Sequence, residues 1–220
     1  MYSHSDERRV THLRDHRRGA FQVPFGIVAA VIVLLVGAVV LIGAARGVWH
    51  PAQVLRDPAA EFGFPIYGGF VSYLGVAGWL IAGSVTGLAA AVRPMLRKTL
   101  IPVCTLSLLL ALDDLFMLHE AFLPRIGLPE KLVLFCYGVI ALVAVWPFLA
   151  AAIRWQKPLL GISLMAMIGS LGVDMLLSHG DGGAALIEDL LKFTGVTFWA
   201  ACWTQHAADA LRLPESRNRA

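Results

Sequence analysis

The side chains that could do chemistry in this sequence are concentrated in three short stretches inside apolar segments. The first is DDLFMLHE, residues 113–120, with four ionisable side chains in eight positions. The second contains Asp174 and His179, and the third covers residues 188–192. An ionisable group in a membrane helix costs at least ~2.5 kcal/mol on insertion scales, so its presence indicates a function. These stretches are therefore the candidates for a functional site.

The composition places the three stretches in a membrane protein. Of the 220 residues, 58% are hydrophobic and 15% are charged, whereas soluble domains carry about 25% charged residues. The three cysteines lie singly in apolar runs, so neither a disulfide framework nor a thiolate zinc site is predicted. The net charge of +3 is spread over tails and loops, which argues against binding to nucleic acid.

Six apolar runs predict an all-α, polytopic membrane helix bundle with about six transmembrane helices. The runs cover approximately residues 23–45, 66–92, 99–123, 131–153, 159–178 and 184–206. The predicted organisation is a basic cytoplasmic tail over residues 1–22, a six-helix transmembrane domain over residues 23–210 and a cytoplasmic C-terminal tail over residues 211–220.

The distribution of lysine and arginine predicts the orientation. Thirteen of these residues lie in the two tails and in the two loops on the same side of the membrane, and four lie in the opposite loops. Because basic residues are enriched on the cytoplasmic side, we expect both termini to be cytoplasmic.

The alternating direction of the spans brings the three stretches to one membrane surface. At ~1.5 Å per residue, Asp113 lies about 21 Å above the start of the third span at Thr99. The fifth span runs in the same direction, and the sixth returns from that side. The acids of all three spans are therefore expected near the extracytoplasmic face.

The excess of acids over bases at this face predicts a bound cation. Ionised acids in a partly dehydrated place repel one another unless they take up a proton or share a cation. Carboxylates together with imidazoles suit a divalent Zn, Mn or Fe ion. The predicted metal ligands are Asp113, His119, Glu120, Asp174 and His179.

The remaining ionisable residues receive other roles. Asp114, Glu188 and Asp189 are the candidate catalytic acids and bases. Glu188 and Lys192 lie four residues apart, which favours an ion pair within one helix and gives Lys192 a structural role. The acids also have a plain structural explanation, because Glu188 and Asp189 in a first turn suit the positive end of the helix dipole.

Three functions are compatible with this pattern. The first is a metal-binding enzyme, such as a hydrolase, that acts on a membrane lipid. The second is a transporter or channel coupled to protons or cations. The third is an accessory structural subunit whose buried polar contacts hold helices together. The expected partners are membrane lipid and a lipid or small-ion substrate.

The run DDLFMLHE, followed by LPRIGLPEK and IEDLLKFTGVTFW, resembles a family of uncharacterised bacterial multi-pass membrane proteins with a DDxFxLHE-type motif. The resemblance covers about half of the chain and implies a location in the bacterial inner (plasma) membrane. The acid and histidine pattern is also similar to alkaline-ceramidase-like intramembrane metal hydrolases, although their paired HxxxH is missing around Gln205 and His206.

Overall fold

The structure is a computed structural model of the chain. It describes residues 25–55, 58–151, 156–176 and 182–212. These residues form helices and connecting turns without any strand, which confirms the all-α fold class for the described part. The predicted N-terminal tail and the C-terminal tail beyond Arg212 lie outside it. The chain divides into two compact units, Met1–Gly68 and Gly69–Ala220.

The first unit contains one long apolar helix, α1 (Phe25–Ala45), in which no residue is charged. Two short helices follow, α2 (Pro51–Leu55) and α3 (Pro58–Phe62). The turn after α1 folds back on the helix, because the indole Nε1 of Trp49 donates to the carbonyl of Val40 at 3.3 Å. Gly43 makes room for this ring, since a Cβ atom there would lie 2.1 Å from it.

The described part of the second unit is built from long helices that alternate in direction. They are α4 (Phe70–Val92), α5 (Arg97–Phe116), α6 (Glu130–Ala151), α7 (Gln156–Leu176) and α8 (Gly182–Arg212). Helices α4 and α8 run parallel, because Gly78 lies against Val196 near one end and Arg93 donates to the carbonyl of Leu211 at the other, at 3.0 Å. Helix α7 runs opposite to α8, with the hydroxyl of Ser163 bonded to the carbonyl of Gly195.

Three helical segments of the described residues are long and apolar enough to cross a membrane. They are Phe70–Val92, Pro94–Phe116 and Glu130–Phe148. Ala30–Ala45 and Pro158–Asp174 are apolar but shorter. The structure therefore indicates a membrane protein, whereas the prediction of six spans is finer than these three segments establish.

Helices α4 and α5 form a close hairpin around the turn at Pro94–Leu96. Residues at equal distances from this turn face each other: Gly87 lies against Cys104, and a Cβ atom at Gly83 would lie 2.8 Å from the side chain of Leu108. Small residues at such contacts let helices approach where no hydrophobic drive between helices exists in lipid. Continuing the same register places Trp79 opposite the acidic end of α5.

A buried aromatic core lies between that acidic end and the turn. Trp199 packs edge-to-face with Trp79 and with Trp203, at ring-centroid distances of 5.8 and 5.4 Å. Its Nε1 donates to the hydroxyl of Ser107 at 2.9 Å. Leu106 beside this group is buried. These side chains are all buried below the acidic end.

The contact between α7 and α8 allows a direct test of this packing. At Gly195 a Cβ atom would lie 2.6 Å from Cγ of Met167 and 3.2 Å from backbone atoms, so we expect Gly195→Ala to cost about 1–3 kcal/mol of stability by overpacking. Thermal unfolding in detergent measures this. Gly138→Ala is the matched control, since nothing lies within 4 Å of its Cβ position; an equal loss in both variants would contradict the packing.

Candidate functional site

The centre of the candidate site is Asp113, a carboxylate that is only 2% exposed near the end of α5. Its Oδ1 accepts hydrogen bonds from the backbone N–H of His119 and from the hydroxyl of Tyr137 on α6, each at 2.9 Å. Its Oδ2 contacts Nδ1 of His119. A buried carboxylate is costly unless donors satisfy it, and here both oxygens are bonded.

Helix α5 ends at Phe116, and a left-handed residue, Met117 (φ 48°, ψ 49°), separates it from a short π-helical turn over Leu118–Phe122. The sequence pattern predicted one continuous span over residues 99–123. That prediction is wrong, because the helix breaks at Met117. The break turns His119 back onto Asp113.

Asp114 makes a second set of polar contacts on another side of α5. Its Oδ2 accepts a bond from the indole Nε1 of Trp79 on α4, at 3.0 Å. Its Oδ1 lies 2.8 Å from the ammonium of Lys192 on α8. The Asp114 side chain is 9% exposed and that of Lys192 41%. The residue predicted as a catalytic acid is therefore fixed by neighbouring helices.

The structure corrects the predicted partner of Lys192. The sequence favoured a pair with Glu188, four residues away on the same helix, but the close contact of the Lys192 ammonium is with Asp114. Glu188 still interacts electrostatically with Lys192. The physical reason is burial: Asp114 has little access to water and requires a cation, whereas Glu188 is half-buried.

An outer layer of acids lies beyond these two aspartates. Glu120 is 53% exposed and lies 3.5 Å from Nε2 of His119. Glu188 interacts electrostatically with Asp174 on α7, with Glu120 and with its exposed neighbour Asp189. The structure thus brings the acids of α5, α7 and α8 to one end of the unit. His179 lies outside the described residues.

The predicted divalent metal receives no support from the described residues. Among them, no group of three His, Cys, Asp or Glu side chains is arranged to hold a metal ion. The oxygens of Asp113 and Asp114 already accept bonds from nitrogen and hydroxyl donors. The excess of acid at the centre is instead balanced by His119 and Lys192. The metal therefore stays a prediction.

Sequence reasoning missed two donors, Trp79 and Tyr137. An aromatic residue in an apolar run is usually a packing residue, and its type gives no sign that its polar atom meets a carboxylate. The register of the hairpin could have indicated Trp79 as a partner, because Trp79 and Asp114 lie at similar distances from the turn between α4 and α5. No comparable signal existed for Tyr137, which follows a longer connection.

A family model matches residues 26–206, which is most of the chain and includes every candidate site residue. The chain belongs to the family described as Domain of unknown function (DUF8692). The DUF8692 region begins within α1 and ends within α8, so it spans both compact units. No match was found among curated proteins or among solved structures.

His119 lies outside the apolar segment Pro94–Phe116, and its surroundings in the DUF8692 chain raise its pKa. The hydrogen bond to Asp113 is the largest cause that raises the pKa of His119 above its usual value. Burial opposes this shift, the charges of Asp113 and Glu120 add to it, and Lys192 lowers the pKa. The ring, 13% exposed, is therefore a stronger base than a free imidazole, and it contacts Asp113 through Nδ1.

The raised pKa predicts the sign of a pH effect on stability. The contribution of His119 should be complete below the unfolded pKa of about 6.5 and should be lost as the pH rises through the folded value. We expect the difference in melting temperature between wild type and His119→Gln, in one detergent, to be largest in weak acid and to shrink toward alkaline pH. The same comparison on an Asp113→Asn background should lose this trend; a difference that grows with pH would contradict the assignment.

The pair between Lys192 and Asp114 predicts a second set of stabilities. Removing one partner of a fully buried pair costs about 3–5 kcal/mol. Because Lys192 is partly exposed, we expect about 1–3 kcal/mol for Lys192→Met. The double variant with Asp114→Asn should recover part of this loss. Glu188→Gln is the control and should change the free energy of unfolding little; a loss equal to that of Lys192→Met would restore Glu188 as the partner.

Proposed function

We propose that this protein is a membrane enzyme in which His119 acts as a general acid and base on a lipid or another amphiphilic substrate. The observation that carries the proposal is the buried contact between Asp113 and Nδ1 of His119, which directs Nε2 toward the partly exposed Glu120. A histidine held by a carboxylate in this way is a common base in hydrolytic chemistry.

The chemistry follows from the two nitrogens of the ring. Asp113 accepts a hydrogen bond from Nδ1–H, so it selects the tautomer whose Nε2 carries the lone pair, and it stabilises the imidazolium formed when Nε2 takes a proton. Tyr137 and the His119 backbone N–H bind Oδ1 and so keep the carboxylate in place. Nε2 then accepts a proton from water or a substrate hydroxyl as that oxygen bonds to the acyl or phosphoryl centre of the substrate. It returns the proton to the leaving group as the bond between that centre and the leaving group breaks.

The surroundings of the site favour an amphiphilic substrate. Buried residues such as Ala82, Leu106 and Trp199 close the interior below it, so access is from the outer end. Phe116 and Phe122, on either side of the left-handed turn, are exposed apolar side chains. A substrate with an acyl chain and a polar head group satisfies both the apolar edge and the acidic layer.

Proton transport is the second candidate, and one observation favours it. Glu120, His119 and Asp113 form a chain of proton-binding groups from an exposed side chain to a buried one. Such a chain could load and release protons at one face. Transport across the bundle would further require the closed aromatic core to open.

The wider setting of the site is also part of the proposal. We infer six transmembrane helices, both termini in the cytoplasm, and a bacterial inner-membrane location. The alternating directions of α4 to α8 and the distribution of basic residues support this topology. We assign no step to a Zn, Mn or Fe ion, since the oxygens of the two central aspartates are bonded to other donors.

Reconstitution in vesicles of bacterial phospholipids tests the two candidates together. We expect wild-type protein to convert a lipid species, detected by mass spectrometry, and His119→Gln to lose at least about 100-fold of that rate, as for removal of a general base. His206→Gln is the control and should keep the rate, because His206 lies near the C-terminal end of α8, away from the acidic end of the bundle.

The same vesicles, loaded with a pH-sensitive dye, report proton flux. Flux that disappears in His119→Gln without any lipid conversion would replace the enzyme by the proton carrier. If neither lipid conversion nor flux depends on His119, both proposals fail and the accessory structural subunit takes their place.

A further inference from the structure

We propose that Met117 is the positioning residue of the pair formed by Asp113 and His119. Its left-handed backbone ends α5 and returns the chain so that His119 reaches Asp113. This inference rests on the proposed role of His119 in one respect only, namely that the pair matters for function. The geometry itself can be tested without any activity.

A regular helix could not form this pair. Residues six positions apart on an α-helix are separated by about 9 Å along the axis and point about 120° apart. Yet both the backbone N–H and the ring of His119 contact the carboxylate of Asp113. The helix must therefore be interrupted between the two residues, and the structure places the interruption at Met117.

The conformation of Met117 is unfavourable for its residue type. It is the non-glycine residue with a positive φ among the described residues, and the left-handed region costs free energy for any residue with a Cβ atom. The Met117 side chain is exposed, so its own packing within the unit does not offset this cost. The bonds to Asp113 do, together with those from the amides of Ala121 and Phe122 to the Met117 carbonyl, at 2.9 and 3.1 Å.

Because Met117 adopts the left-handed conformation, substitutions there should follow one order of stability. A continuous helix at the same position would give the reverse order. Glycine and asparagine adopt the left-handed region most readily, whereas a β-branched residue does so least. In a helix, leucine and methionine are favoured, isoleucine is intermediate, and glycine is among the worst residues. We therefore compare Met117→Gly, Met117→Asn, Met117→Leu and Met117→Ile, with Leu112→Gly as the control inside α5, where the side chain is also exposed.

The readouts report the pair and the turn directly. In protein with ¹⁵N-labelled histidine, the downfield proton resonance on Nδ1 of His119 reports its bond to Asp113. Amide hydrogen exchange over residues 118–122 reports the turn. We expect Met117→Gly and Met117→Asn to keep the resonance and raise the melting temperature, and Met117→Leu to match wild type. Met117→Ile should lose the resonance, and the amides of residues 118–122 should then exchange as in an unstructured segment.

Leu112→Gly should lower the melting temperature and leave the Nδ1 resonance in place. If Met117→Gly lowers the melting temperature as Leu112→Gly does, or if Met117→Ile keeps the resonance, the positioning role is overturned. A failure of lipid conversion in wild-type protein would leave these spectra unchanged, so the two proposals fail independently. If conversion is observed, Met117→Ile should lose it and Met117→Gly should retain it.

Discussion

The constraint on which the rest of this bundle depends is the burial of two adjacent carboxylates. Asp113 and Asp114 lie where water has little access, and a charge removed from water is costly unless it is paired and hydrogen-bonded. Their donors come from α4, α6, α8 and the turn after α5. Helices α4, α6 and α8 therefore meet α5 at this point, and each supplies one donor to the two carboxylates.

The acids at this end of the bundle are balanced one by one, each by its own surroundings. Sequence reasoning counted the acids together and required a cation from outside. In the structure the inner acids and the outer acids differ in exposure, so they have different needs: the buried pair is matched by His119 and Lys192, whereas Glu120 and Asp189 reach solvent. Water screens exposed carboxylates. Part of the repulsion that suggested a metal is therefore balanced within the protein, while Glu188 still interacts electrostatically with Asp174, Asp189 and Glu120.

Much of the fold could be predicted from the sequence, because apolar runs of sufficient length determine where helices lie, and alternating direction determines which ends meet. The pairing of side chains could not be predicted in the same way. Whether Lys192 meets Glu188 or Asp114 depends on how α8 rotates about its axis. Whether His119 meets Asp113 depends on one backbone conformation at Met117, a residue whose type favours continuing the helix. Trp79 and Tyr137 were overlooked because their polar atoms are a small part of large apolar side chains.

The adjacency of the two aspartates also limits how α5 can move. Neighbouring residues on a helix point about 100° apart, so Asp113 binds α6 and the following turn while Asp114 binds α4 and α8. Any rotation of α5 about its own axis would break both sets of bonds at once. A conformational change at this end must therefore carry α5, its three neighbours and the turn after Phe116 as one block, because His119 in that turn also binds Asp113.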